Sequence, residues 1–243
     1  MKDLTGKTAL VTGGTSGIGR AAAGALADLG AYVLVSGRDP ERGAAVVEEI
    51  RTRGGKADFL VADLRDAASA RSLAARAGAV DVLVNNAGIY PDLATDATTE
   101  ADFDAVYALN VKAPYFLVAE LAPGMAARGD GAIVNVSTMV AEFGMPGMGL
   151  YGSSKAALVL LTKAWAAEYG PRGVRVNVVS PGPVRTSGTV PMGSDLDVLA
   201  SGAPAGRIGL ASEVAEAIAF LATDRSSFVH GALLPVDGGR IAV

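Results

Sequence analysis

The feature that most limits what this chain can fold into is an alternation of short apolar runs with helix-like stretches. Thr8–Thr12 is the first run, and 31–36, 57–62, 81–85, 131–137, 174–179 and 232–236 repeat it. Continuous β-rich runs of this kind suit strands covered on both faces. Between them, segments near 20–29, 41–53, 66–77, 100–128, 151–166 and 212–222 read as helices. Asp39 serves as a cap for the second, with Pro40 in its first turn. The alternation predicts an α/β fold: a single Rossmann-like domain with a doubly wound, seven-stranded parallel sheet, binding ligands at the carboxyl ends of its strands. No repeat or linker divides the 243 residues, so one domain spanning 1–243 is expected. Ser187 to Gly206 reads as irregular, a substrate loop long enough to act as a lid.

The first run opens into Gly13-Gly-Thr-Ser-Gly-Ile-Gly19 and then an Ala-rich helix. Strand, glycine turn and helix offer backbone N–H groups and a helix N-terminus to a phosphate. The spacing of Gly14 and Gly19 also suits a nucleoside-triphosphate loop. However, Arg20 and Ala21 stand where that loop needs Lys and then Ser or Thr. A dinucleotide is therefore the expected ligand. At the end of the second run an acidic residue would take the ribose 2′-hydroxyl of NAD. Gly37-Arg38 stands there instead, and a cation suits a 2′-phosphate, so NADP(H) is expected over NAD(H). Ser16 and Ser36 can add hydroxyl donors.

Composition removes several chemistries. The chain has no cysteine and one histidine, His230, which excludes disulfides, thiolate catalysis and two-histidine metal sites, and no metal is expected. No G-x-S-x-G elbow accompanies that histidine. A net charge of −4 argues against nucleic acid or an anionic membrane surface as partner. Without a signal-type N-terminal segment or a spanning apolar run, a soluble cytoplasmic protein is expected.

Chemistry concentrates at Tyr151-Gly-Ser-Ser-Lys155. Tyr and Lys four apart share one helix face. A free tyrosine, with a pKa of about 10, exchanges protons poorly near neutrality. An ammonium beside it would favour the phenolate and draw the pKa down.

These segments carry a resemblance. With Thr12-Gly-Gly-Thr-Ser-Gly-Ile-Gly19, Asp63, Asn85-Asn-Ala-Gly88, Asn110, Tyr151-x-x-x-Lys155, Pro181-Gly-Pro-Val-Arg-Thr186 and Val236-Asp-Gly-Gly239 in order, the chain resembles the short-chain dehydrogenase/reductase family along essentially its whole length. The resemblance implies that Tyr151 is the acid/base at an alcohol or carbonyl oxygen. Lys155 would lower the tyrosine pKa and hold the nicotinamide ribose, and Asn110 would help hold a relay water. Thr138 occupies the slot of the family's serine donor; Ser137, one place earlier, would face the other way along a strand. The implied cofactor contacts are Gly13, Thr15, Ser16, Gly17, Ile18, Gly19, Ser36, Arg38, Asp63, Leu64, Asn86, Ala87, Gly88, Tyr151, Lys155, Pro181, Gly182, Val184 and Thr186. A homotetramer built through the last helices and strand is implied as well.

The function expected is hydride transfer between NADP(H) and a small ketone, aldehyde or secondary alcohol. A 3-oxoacyl-thioester (acyl-carrier-protein) reductase is the alternative, and a non-catalytic dinucleotide-binding sensor lies outside that class. Met139, Met145, Met148 and Met192 fall in segments expected to border the reacting centre, where Tyr90, Phe143 and Leu196 could join them. Methionine suits an adaptable apolar pocket, and no Lys or Arg cluster in 187–206 supports a highly anionic substrate.

Overall fold

The computed structural model describes residues 3–243. In chain order the elements are β1 (Thr8–Thr12), α1 (Gly17–Asp28), β2 (Tyr32–Gly37), α2 (Pro40–Thr52), β3 (Lys56–Val61), α3 (Ala67–Ala77), β4 (Val82–Asn85), α4 (Glu100–Tyr107) and α5 (Ala113–Arg128). They continue with β5 (Gly131–Val136), α6 (Gly149–Tyr169), β6 (Val174–Pro181), β7 (Val184–Arg185), α7 (Asp195–Ser201), β8 (Gly209–Leu210), α8 (Ala211–Ala222) and β9 (Leu233–Val236). Seven strands form one parallel sheet in the order β3-β2-β1-β4-β5-β6-β9, while β7 and β8 make a short separate pair. The sequence pattern called for this Rossmann-like sheet. Its order reverses between β1 and β4, where the chain returns from β3 to the far side of β1. Adjacent loops diverge at that point and leave a crevice.

Strand registry explains why the apolar runs lack polar interruptions. Leu34, Leu10, Leu83, Ile133 and Val176 lie side by side across five strands, and all five belong to one core layer. Val35, Val11, Val84 and Val134, one residue further along, belong to the opposite layer. Successive side chains alternate between faces, and both faces are covered. Leu73 of α3, Leu117 and Met125 of α5, and Leu158 and Trp165 of α6 cover the first face. Leu26 of α1, Val46 and Ile50 of α2, and Ile218 of α8 cover the second. Cores of this kind lose roughly 2–5 kcal/mol when a buried Leu or Ile is cut to Ala.

Several helix starts follow from local chemistry. Asp39 accepts hydrogen bonds from the N–H groups of Glu41 (3.0 Å) and Arg42 (3.1 Å), with Pro40 at the first position of α2. Asp66 caps α3 through the Ser69 N–H at 2.7 Å. Among the described residues, no helix is long and apolar enough to cross a membrane.

Two expectations are corrected. The helix expected over 100–128 is interrupted: residues 108–112 form a π turn between α4 and α5. Pro114 has no N–H for the carbonyl four residues back, that of Asn110, and the helix widens there. The stretch expected to be irregular over 187–206 contains α7, with Asp195 and Asp197 in its first turn and Leu196 and Ala200 buried one turn apart. The C-terminal turn pins the base of this segment. Asp237 accepts from the N–H groups of Gly239 and Ile241, and the Gly238 carbonyl accepts from the Ala205 N–H at 2.9 Å.

Candidate active site

A cleft of about 1520 Å³ opens at the carboxyl ends of the strands, across the β1/β4 reversal. It is large enough for a dinucleotide and a small molecule together, since drug-sized sites need only roughly 300–1,000 Å³. Thr12 ties its two walls: the hydroxyl accepts from the N–H groups of Asn86 (3.0 Å) and Ala87 (3.1 Å) and donates to the Val84 carbonyl (3.2 Å). Asn86 Nδ2 donates back to the carbonyls of Thr12 and Gly13. In the glycine turn Gly13 and Gly17 have φ of 63° and 52°, a region that favours glycine. The Ser16 side chain makes no capping bond, so the first amides of α1 stay open toward the cleft. A backbone cradle at a helix start fits a dinucleotide pyrophosphate.

The end of the cleft beside β2 and β3 carries three arginines. At Gly37 even a Cβ would stand 2.7 Å from Thr15 Cγ2, so the strand end has no room for a carboxylate. Arg38 follows, exposed on the cleft wall and without a hydrogen bond or ion pair among the described residues. Arg42, also on the wall, pairs with Asp39 at 3.0 Å, and Arg65 pairs with Asp63 at 2.5 Å.

The opposite end is built by α6 lying on the end of β5. A Cβ at Gly152 would stand 2.5 Å from the Val140 carbonyl oxygen, so the helix approaches this closely only because position 152 has no side chain. Further along, Asn135 Nδ2 donates to Thr162 Oγ1 at 2.8 Å, fastening strand to helix. Lys155 is 3% exposed, and its Nζ donates to the Val136 carbonyl at 2.8 Å. Ser137 Oγ turns inward to the Lys155 carbonyl, 3.4 Å away, whereas the Thr138 side chain lies beside the Tyr151 phenol on the cleft wall. Tyr151 is half-buried as a whole, although its phenol lies deep enough for burial to push the pKa up to about 12; the neighbouring Thr138 hydroxyl opposes that rise and Tyr90 adds to it. Burial pulls the Lys155 ammonium down to about 8.

A family model described as enoyl-(acyl carrier protein) reductase matches residues 13–240. The 3-oxoacyl-[acyl-carrier-protein] reductase FabG of Thermotoga maritima is 37% identical, covering 98% of this chain and 99% of its own. A solved structure titled short chain dehydrogenase/reductase family protein superposes with a TM-score of 0.94 at 51% identity, covering 99% and 100% of the two chains. The chain belongs to the short-chain dehydrogenase/reductase family. A gluconate 5-dehydrogenase from Burkholderia cenocepacia, solved with NADP and tartrate, has a TM-score of 0.93 at 34% identity over 100% of this chain and 98% of that one. This short-chain dehydrogenase/reductase is thus an oxidoreductase, built for a nicotinamide cofactor and a small-molecule substrate.

Of the residues singled out in the sequence, Gly13, Thr15, Ser16, Gly17, Ile18, Ser36, Arg38, Asp63, Leu64, Asn86, Ala87, Gly88, Thr138, Tyr151, Lys155, Pro181, Gly182, Val184 and Thr186 line the one cleft. Gly19 stands behind it: a Cβ there would fall 2.3 Å from the Gly13 carbonyl oxygen, so it serves the close packing of turn and helix. Asn110 is also behind the wall. It donates to the Ile89 carbonyl (2.9 Å) and to Ser154 Oγ (3.0 Å) and accepts from the Ile89 N–H (3.0 Å). Met139, Met145, Met148, Met192, Tyr90 and Leu196 line the cleft, whereas Phe143 packs under Arg240. Arg42 and Lys112 were not foreseen as wall residues. The start of α2 was legible, and its first turn following a strand that ends in the crevice was the available signal for Arg42.

One electrostatic expectation is overturned. Lys155 does not draw the phenol pKa down in this structure; the Tyr151 pKa rises, and Lys155 is not among its influences. The ammonium is engaged by the Val136 carbonyl, and burial disfavours phenolate and ammonium alike. In cofactor-free protein Tyr151 should therefore stay protonated through neutrality, while Lys155 loses its proton as pH rises past about 8. A phenolate absorbance titration, differenced against Tyr151→Phe, should show no Tyr151 ionisation below about pH 10, where free tyrosine titrates. Ionisation near neutrality would contradict this electrostatic account.

Proposed function

We propose that the protein transfers a hydride between NADP(H) and a ketone or aldehyde, or in reverse from a secondary alcohol, with Tyr151 exchanging the proton at the substrate oxygen. The observation that carries this reading is the neighbouring hydroxyls of Thr138 and Tyr151, set on one cleft wall with Lys155 buried one turn along α6. Two neighbouring hydroxyls on one wall can both serve a single oxygen. When bound, the nicotinamide supplies or accepts the hydride. Gly13, Thr15, Ser16, Gly17 and Ile18 would hold the pyrophosphate, Pro181, Gly182, Val184 and Thr186 the nicotinamide, and Lys155 its ribose. In reduction the carbonyl carbon gains the hydride, and the freed electron pair on oxygen takes the Tyr151 proton. A phenol kept protonated by burial carries the proton that this direction uses. Thr138 donates to the oxygen as charge gathers on it. Asn110 holds the loop at Ile89 and joins the proton relay behind Tyr151. The 187–206 segment closes over the substrate.

The 3-oxoacyl-thioester reading keeps the same chemistry, and similarity to acyl-carrier-protein reductases at 36–37% identity favours it. A panel of free ketones and matched acyl thioesters separates the two. Assembly as a homotetramer belongs to the reading through the family resemblance.

The preference for NADP(H) rests on Arg38, which has no partner among the described residues and follows a strand end too tight for a carboxylate, with Arg42 as a second cation. Charge-assisted hydrogen bonds contribute about 1.5–3 kcal/mol, so kcat/KM should favour NADPH over NADH by more than roughly tenfold. Arg38→Ala should erase most of that preference. Equal values in the wild type, or a preference for NADH, would refute it.

The donor assignment is separately testable. Removing one oxyanion-type donor costs roughly a hundredfold to a thousandfold in kcat. Thr138→Val should show a loss of that size at saturating NADPH, and Thr138→Ser should stay near wild type. Ser137→Ala, which removes only the bond to the Lys155 carbonyl, should change kcat little. The reverse pattern would put the donor at Ser137.

A further inference from the structure

Tyr90 is a wall residue of the cleft with no role in the scheme above. Its ring centre lies 6.0 Å from that of Tyr151, with the planes tilted by 57°. On its far side the hydroxyl reaches the segment that leads to α7, since a Cβ on Gly188 would stand 2.2 Å from it. The side chain therefore spans the mouth of the reacting end, from the acid/base tyrosine to the base of the lid. It is 42% exposed, and its hydroxyl has no hydrogen-bond partner among the described residues.

Its backbone is fixed on both sides. Ile89, just before it, exchanges two hydrogen bonds with Asn110, and the Leu93 N–H, three residues on, donates to the Gly147 carbonyl at 3.0 Å. The backbone under the ring is thereby held, and the ring itself is confined by Tyr151 on one side and Gly188 at its hydroxyl.

The other approach to Tyr151 is different in character. Met139, Met145 and Met148 come from the loop between β5 and α6, and Met192, Leu196 and Leu199 from the 187–206 segment. Thioether and aliphatic side chains adapt to varied apolar groups. The charged residues bordering this arm are Asp92 and Asp195; the cleft's cations are Lys155 beneath Tyr151, Arg38 and Arg65 after β2 and β3, Arg42 in α2, and Lys112 in the π turn.

We propose that Tyr90 is the residue that sets which ketones the site accepts. It bars one flank of Tyr151, so the carbonyl substituent on that side must be small, and the larger, uncharged substituent is sent into the methionine-lined arm. This rests on the carbonyl reading given above. The ring does the barring, and the hydroxyl contributes only its contact with Gly188.

The test uses purified protein with NADPH and uncharged aryl ketones sharing one large group, with methyl or butyl on the other side. The wild type should favour the methyl ketone in kcat/KM by at least about tenfold, the lower end of what a size-limited pocket achieves. Tyr90→Ala should bring the two within about twofold, mainly by raising the butyl ketone. Tyr90→Phe should keep the wild-type ratio. Tyr90→Leu, which preserves apolar packing, should fall between and carries the test if the alanine variant does not fold. A carboxylate on the large group should lower kcat/KM in the wild type, and Asp92→Asn with Asp195→Asn should recover part of that loss. No size preference in the wild type, or an unchanged ratio in Tyr90→Ala and Tyr90→Leu, would overturn the proposal while leaving the carbonyl reading standing. Failure of the wild type to oxidise NADPH with any ketone would overturn that reading, and this proposal with it, before any variant is compared.

Discussion

What the cleft can do depends on how closely α6 lies on the end of β5. A lysine can be buried here only because its Nζ finds the Val136 carbonyl, and it reaches that carbonyl only because Gly152 lets the helix come down onto Val140. A buried charged group without such a partner would be strongly disfavoured. The bond from Asn135 to Thr162 holds the same contact further along the helix, and the one from Asn110 to Ser154 secures it from the π turn. With α6 fixed in this way, Tyr151 stands on the cleft wall facing Thr138. The one-residue difference between Thr138 and Ser137 then decides which hydroxyl lies beside the phenol and which turns to the Lys155 carbonyl, although both residues border the cleft.

Burial also sets the charge state of the centre. It disfavours the phenolate and the ammonium for the same reason, the loss of water around a charge, so the Tyr151 pKa rises and the Lys155 pKa falls. The proton therefore rests on the tyrosine. Carbonyl reduction begins from that state, and the reverse reaction must first remove the proton. A lysine with a pKa near 8 can exchange its own proton close to physiological pH, which a solvated lysine does not do.

Much of the architecture was legible because a parallel sheet covered on both faces demands uninterrupted apolar runs. Thr8–Thr12 was read with its exact limits, and the sheet with its seven strands. The Asp39 cap was legible too, since its bonds involve residues two and three positions away. Apolar spacing did not reveal the π turn, because it runs on past Asn110; Pro114 was the one visible signal of a break there. Helix α7 was hidden by the glycines and prolines around it, although Leu196 and Ala200 carried a helical spacing. At the site, residue types marked the right positions, but direction and partner lay beyond them. A Tyr and a Lys four apart suggest an ammonium acting on a phenol. Only the folded chain shows that ammonium committed to the Val136 carbonyl. Gly19 belongs to the same glycine turn as Gly13, but which of them meets the cleft depends on how α1 packs back on the turn.

The central claim, that Tyr151 carries the proton for hydride transfer, is tested most directly by Tyr151→Phe, which removes one oxygen and keeps the ring. Ketone-dependent NADPH oxidation should fall below about one hundredth of wild type, the scale of a lost general acid, while NADPH binding, followed by cofactor fluorescence, stays close to wild type. Retention of a tenth or more of the activity would contradict the account and require another source for the proton.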